Sequence, residues 1–165
     1  MNLEFSDFVS VVSLLVSIAA VFFAKKSSKA AHDIAEKNLN LQHGMVELEM
    51  RQAIENAKSK VNEISVVMAP LVAKEEKSKL NEEDEGTLKI YRKNLDAAVQ
   101  TLMNTYDDAC SKYIDGKVDK VRFKKNYKYE IRNLLENKDL KEHFDPLTSR
   151  YKPILNVYTE WESME

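Results

Sequence analysis

Glycine, proline and cysteine are all scarce in this chain: three, three and one among 165 residues. Each scarcity removes a class of chemistry. Gly44, Gly86 and Gly116 stand alone, whereas loops that cradle phosphates or dinucleotides need clustered glycines so that backbone N–H groups can approach the ligand. The single Cys110 can form neither an internal disulfide nor a Cys-x-x-Cys zinc signature, and it suits a reducing compartment. No His-Glu-x-x-His spacing occurs. Asp115-Gly116 invites an EF-hand reading that fails, because a loop with Gly116 sixth puts Arg122 where the closing glutamate belongs. Alternation of apolar and polar residues is nowhere long enough to argue for a strand.

Charge is missing from one stretch altogether. Phe8 to Ala24 (FVSVVSLLVSIAAVFFA) contains none, follows Glu4 and Asp7, and stops at Lys25-Lys26. At about 1.5 Å per residue it covers roughly 25 Å, the short end of what crosses a bilayer core, with the flanking lysines snorkelling to the interface. A cleaved secretory signal has its basic residues before the apolar stretch. Here no Lys or Arg precedes residue 25, and Lys25, Lys26 and Lys29 follow the span. The expectation is an uncleaved signal anchor in the inner (cytoplasmic) membrane. Residues 1–7 form a short extracytoplasmic N-terminus, 8–24 a transmembrane helix and 25–165 a cytoplasmic helical domain. All 25 basic residues lie beyond residue 24, against 27 acidic residues less Glu4 and Asp7, so the cytoplasmic part is near neutral and its overall charge selects no partner.

What remains reads as helix. From Lys29 to Met68 apolar residues recur at three- and four-residue spacing; Pro70 ends or kinks that helix, and 70–83 is a charged connector. A helix over about 84–113, capped by Asn81 or Asp84, has Leu88, Tyr91, Leu95, Ala98, Leu102, Tyr106, Ala109 and Tyr113 on its apolar face. Another over 119–136 carries Phe123, Tyr127, Ile131 and Leu134, and Asp139 to Glu142 has the spacing of a capping box. The last, over 147–163, carries Ile154, Leu155, Tyr158 and Trp161. The expected class is all-α: a transmembrane helix continuing into a long helix, then a small antiparallel bundle.

Three groups of residues invite a functional reading. His32, Glu36, His43 and Glu47 share one helix face, yet histidine and glutamate four apart are ordinary surface support, so no metal is expected. Cys110 lies beside an apolar face with no histidine near, as core filler does. From Lys117 to Arg132 seven basic residues alternate with aromatics. The helical spacing of the aromatics makes them a core stripe with the basic residues as its solvated face; Lys120, Arg122, Lys124, Lys125 and Lys128 are the alternative candidates for contact with an anionic lipid or protein surface, and nucleic acid is not the expected partner.

The strongest pattern is a seam. Ser6, Ser10, Ser13, Ser17, Ala20, Ala24, Ser27, Ala31, Ile34, Asn38, Leu41, Met45, Leu48 and Gln52 follow alternating steps of four and three, as one side of a left-handed coiled coil does. In lipid, helices associate through small residues that let backbones approach. In water the row turns larger and apolar, with Asn38 as a register-setting polar position. After Gln52 the phase slips by one residue and resumes as Ile54, Ala57, Val61, Ile64, Met68 and Leu71, where packing within the bundle is expected to replace self-association.

The text YIDGKVDKVRFKKNYKYEIRNLLENKDLKEHF…SRYKPILNVYTEW, together with the anchor, resembles small bacterial single-span membrane proteins with a helical cytoplasmic domain, without an assigned activity, that often travel with prophages or defence islands. The resemblance supplies no catalytic residue; it implies a role in phage exclusion or phage defence. The expectation is a non-enzymatic, single-pass interaction or regulatory protein without cofactor or small-molecule substrate. It would bind membrane lipid, an unidentified protein and further copies of itself. The alternative is a membrane-disrupting effector that assembles through its span.

Overall fold

The computed structural model describes residues 5–78 and 80–163; the side chains at 5–12, 15, 16, 18 and 19 lie outside that description. Four α-helices and one 3-10 turn make up the fold, with no strand among the described residues. They are α1 (Phe5–Lys77), α2 (Glu82–Ile114), α3 (Lys120–Glu136), the 3-10 turn Lys141–Phe144, and α4 (Lys152–Glu162). The chain divides into two units, Met1–Gln42 and His43–Glu165. Among the described residues the first contains only the N-terminal part of α1; the second is a helical bundle.

Local chemistry explains where the helices start and stop. The Asn81 side chain accepts the Asp84 amide at 2.7 Å, and Glu82 to Glu85 place negative charge at the positive end of α2. Asp119 caps α3 by accepting the Arg122 amide at 2.9 Å. That hydrogen bond holds the Asp119 carboxyl below the usual carboxylate range. Between α2 and α3 the chain reverses on Gly116, whose φ of +69° a side chain would resist. Its amide donates to Tyr113 O and that of Lys117 to Lys112 O, the bonds that satisfy the last carbonyls of a helix ending in a left-handed residue. The first turn of α4 has no side-chain cap of its own; Asp107 on α2 accepts the Ile154 amide at 3.4 Å instead.

The core of the second unit is one cluster. It brings Met50 and Ile54 of α1 against Met103, Tyr106, Ala109, Cys110 and Tyr113 of α2, then Phe123, Tyr127, Ile131 and Leu134 of α3, and Ile154, Val157 and Trp161 of α4. Phe123 lies between three aromatic neighbours, with ring centroids 5.0 Å from Tyr127, 5.2 Å from Tyr113 and 6.0 Å from Trp161.

The structure departs from the sequence expectations in four places. Pro70 neither ends the helix nor opens a long connector: α1 runs on to Lys77. Proline removes one backbone donor and crowds the preceding turn, but the helix beyond it is tied to α2 by Lys74 with Asp84 and by Glu75 with Arg92 at 2.6 Å. The segment between α1 and α2 therefore shrinks to residues 78–81. Asp139 does not cap the turn Lys141–Phe144, because its amide is itself held by Asn137 Oδ1. Finally, α4 begins at Lys152 rather than 147, since Asp145 Oδ1 takes the amides of Leu147 and Thr148 in a local turn that competes with helix.

Candidate functional site

Helix α1 carries apolar residues on two sides, and the bundle covers one of them. Met50 is 3% exposed and Ile54 0%, both in the core, with Val46 packed beside them. Met45 and Leu48, by contrast, are 64% and 65% exposed. At about 100° per residue Leu48 lies roughly 200° around the helix from Met50, and Met45 about 180° from Ile54. The phase slip in the sequence thus marks a division of labour: Met50, Ile54 and Ala57 face inward, whereas Met45, Leu48 and Gln52 face away.

In the first unit the row is exposed throughout its described part: Ser13, Ser17, Ala20, Ala24, Ser27, Ala31, Ile34, Asn38 and Leu41. The Ser17 hydroxyl donates to Ser13 O at 2.8 Å, so the helix itself satisfies the hydroxyl. Ser6 and Ser10 lie outside the described side chains, as do 8–12, 15, 16, 18 and 19 of the expected span. Among the described residues no helix is long and apolar enough to cross a membrane. Lys25, Lys26 and Lys29 are exposed, and α1 continues unbroken through Gly44, where an added Cβ would meet nothing within 4 Å.

The structure puts the basic run to largely internal use. Arg122 donates to Glu47 Oε2 at 2.9 Å, while Glu47 Oε1 accepts the Asp119 amide at 3.0 Å. Glu47 therefore pins the start of α3 to α1. Lys120 sits 4.9 Å from the centre of the Tyr113 ring, Lys117 pairs with Asp115, Arg132 pairs with Glu162, and Lys128 is also engaged. Lys124 and Lys125 make no ion pair among the described residues, and Arg122 remains 55% exposed while paired.

The perturbed titratable groups are likewise absorbed by packing. Burial, reinforced by a hydrogen bond to Glu130, pushes the Tyr106 hydroxyl up, and Glu130 also takes Lys58 at 2.8 Å, joining α1, α2 and α3. Burial, then the nearby Asp107, pushes the Cys110 thiol up, so this cysteine is inert filler. Desolvation raises Asp107 despite the hydrogen bond from Ile154.

Several cavities open on the second unit, and two of them lie against its helices α1 and α2. One, of about 540 Å³, lies between α1 and α2 against Ala57, Ile64, Val67, Tyr91 and Ala98. The other, of about 610 Å³, has Met103 at its floor and Asp96, Gln100, Glu142, His143 and Arg150 around it, all exposed. Neither holds a nucleophile beside a base. Among the described residues no group of three His, Cys, Asp or Glu side chains is placed to hold a metal ion.

Sequence reasoning missed Met103, Val118, Phe144, Tyr151 and Val157 in the core, and the anchoring role of Glu47. Val157 completes the i, i+3, i+7 pattern of Ile154 and Trp161 and was accessible from spacing alone; Glu47 carried no signal, because its partners lie over seventy residues away. No family model matches the chain, and neither curated proteins nor solved structures show a similar protein.

Proposed function

We propose that this chain is a single-pass membrane-anchored interaction protein that works by binding rather than catalysis, in phage exclusion or phage defence. Residues 8–24 are its anchor, Lys25, Lys26 and Lys29 sit at the inner interface, and the helical bundle lies in the cytoplasm. The observation that carries this reading is the two-sided α1: Met50 and Ile54 complete the bundle while Met45 and Leu48 on the opposite side stay exposed. Exposed large apolar residues aligned on one helix are costly in water and mark a contact surface when they cluster. The anchor rests on the uncharged run and the one-sided lysines, and the defence role on the resemblance of the C-terminal sequence. Support for a non-enzymatic role comes from Tyr106, Asp107 and Cys110, whose perturbed ionisation is explained by packing alone.

The test has two arms. Carbonate washing should leave the protein in membranes, and a reporter active only in the cytoplasm should work when fused after Glu165; release into the soluble fraction ends the anchor reading. Crosslinking of the membrane-embedded protein followed by mass spectrometry should then recover a defined protein partner together with the chain itself. Recovery of neither, from cells in which the protein restricts phage, would contradict an interaction role.

A further inference from the structure

We infer that the exposed row on α1 pairs two copies of this chain as a parallel, in-register, two-stranded coiled coil, with Asn38 of each copy facing Asn38 of the other. The inference rests on the membrane-anchored reading above and specifies its self-association.

The row assigns Ala24, Ala31 and Asn38 to the a positions of a heptad and Ser27, Ile34 and Leu41 to the d positions. Ile34 and Leu41 are 59% and 66% exposed. Among its described residues the first unit contains no second element that covers them. A partner must also accept Asn38, since an amide buried opposite an apolar side chain leaves its hydrogen bonds unmade. A parallel copy in register supplies the matching amide at that layer, whereas a antiparallel copy would set Asn38 against a d residue, which in the apolar part of the row is Ile34 or Leu41. Two anchors inserted in the same sense also bring their cytoplasmic helices out side by side and parallel.

The flanking positions fit the same arrangement. In a parallel pair each g residue meets the e residue five positions on in the other copy, giving Ala30 with Ala35 and Lys37 with Gln42. No like charges meet, and the small pair lets the backbones approach. A single asparagine at an a position is the device that specifies register and oligomer state in such a pair, at a cost in stability. Histidine and glutamate at His32 and Glu36 fall outside these positions and stay in solvent, as both are exposed.

Variants of the full chain with one added cysteine, oxidised in native membranes, read the geometry directly. Cys110 is fully buried, so it stays in place, and its continued resistance to thiol reagents confirms that each variant is folded. Ile34→Cys and Leu41→Cys should each give disulfide-linked dimer at about fivefold or more above Leu39→Cys and Asn40→Cys, because the core positions a and d face their own counterparts and the outer positions of Leu39 and Asn40 do not. Asn38→Leu should keep the crosslink at Leu41→Cys but add species larger than dimers. If co-expressed Ala31→Cys and Ile34→Cys chains crosslink to each other better than each to itself, the pair is antiparallel; that overturns this inference and leaves self-association standing. If no position exceeds the Leu39 and Asn40 controls, both fall.

Discussion

Replacing Trp161 with alanine should detach α4 from the bundle. The tryptophan is 1% exposed, its Nε1–H donates to Tyr113 Oη at 3.1 Å, and its ring meets Tyr113 edge-on at 5.6 Å and Phe123 at 6.0 Å. Tyr113 in turn donates to Glu160 Oε1 at 2.6 Å, closing a chain of hydrogen bonds between α2 and α4. With 11 residues α4 is shorter than the roughly 12–15 an isolated helix needs in water, so docking alone keeps it folded. Truncating a buried tryptophan costs about 3–5 kcal/mol. Trp161→Phe retains most of the ring packing and removes the indole donor, a loss of about 1–2 kcal/mol. Urea unfolding of residues 43–165, the compact second unit, measures both. The signal must be far-ultraviolet circular dichroism, because Trp161 is the only tryptophan and its removal abolishes the indole fluorescence. With a slope of about 2 kcal/mol per molar urea, the Trp161→Ala midpoint should fall by roughly 2 M. A loss below about 1 kcal/mol would refute the reasoning and make α4 a loosely attached element.

Three further predictions use the same fragment. Asp107→Asn keeps an oxygen for the Ile154 amide and removes a charge whose burial raises its pKa. A raised carboxyl favours the folded state only below its unfolded value near 3.8 and loses that contribution as pH rises through the folded value, so the variant should melt above wild type at pH 7 and converge with it near about pH 3–4. A gap that persists at low pH would mean that the charge is not the cause. Pro70→Ala restores a backbone donor within α1 and should raise stability by up to about 3 kcal/mol; destabilisation would show that the proline ring is needed where it sits. Gly86→Ala, at an exposed helical position where a new Cβ meets nothing within 4 Å, should gain about 0.5–1 kcal/mol, and a loss would argue against helix at that site.

How much of this was legible in the sequence depends on whether the signal was local. The stripe Phe123, Tyr127, Ile131 and Leu134 is buried as its spacing predicts, because a helix with one apolar side leaves no other choice. Asn81, Asp119 and Gly116 do what their side chains, or lack of one, dispose them to do. Pro70 misled because a proline inside a helix removes one hydrogen bond without compelling the chain to stop, and α1 runs on to Lys77. The ion pairs of the basic run were not legible either: Arg122 and Arg132 pair with Glu47 and Glu162, partners that no local pattern announces. For the candidate site, the slip after Gln52 was visible, and its physical meaning became clear only once Met50 and Ile54 were seen inside and Leu48 outside.

The most direct test of that division within α1 is copurification of two differently tagged full-length chains from membranes, comparing Leu48→Lys with Ile54→Lys. Leu48 is exposed on the side away from the bundle and Ile54 is fully buried in it. The account predicts that Leu48→Lys keeps wild-type helicity and a protected Cys110 while recovery of the second chain falls about tenfold, whereas Ile54→Lys unfolds the bundle and exposes Cys110, since a lysine buried without a partner is not tolerated. Undiminished recovery with Leu48→Lys, or unfolding of the bundle by it, would contradict the claim that one side of α1 builds the domain and the other binds.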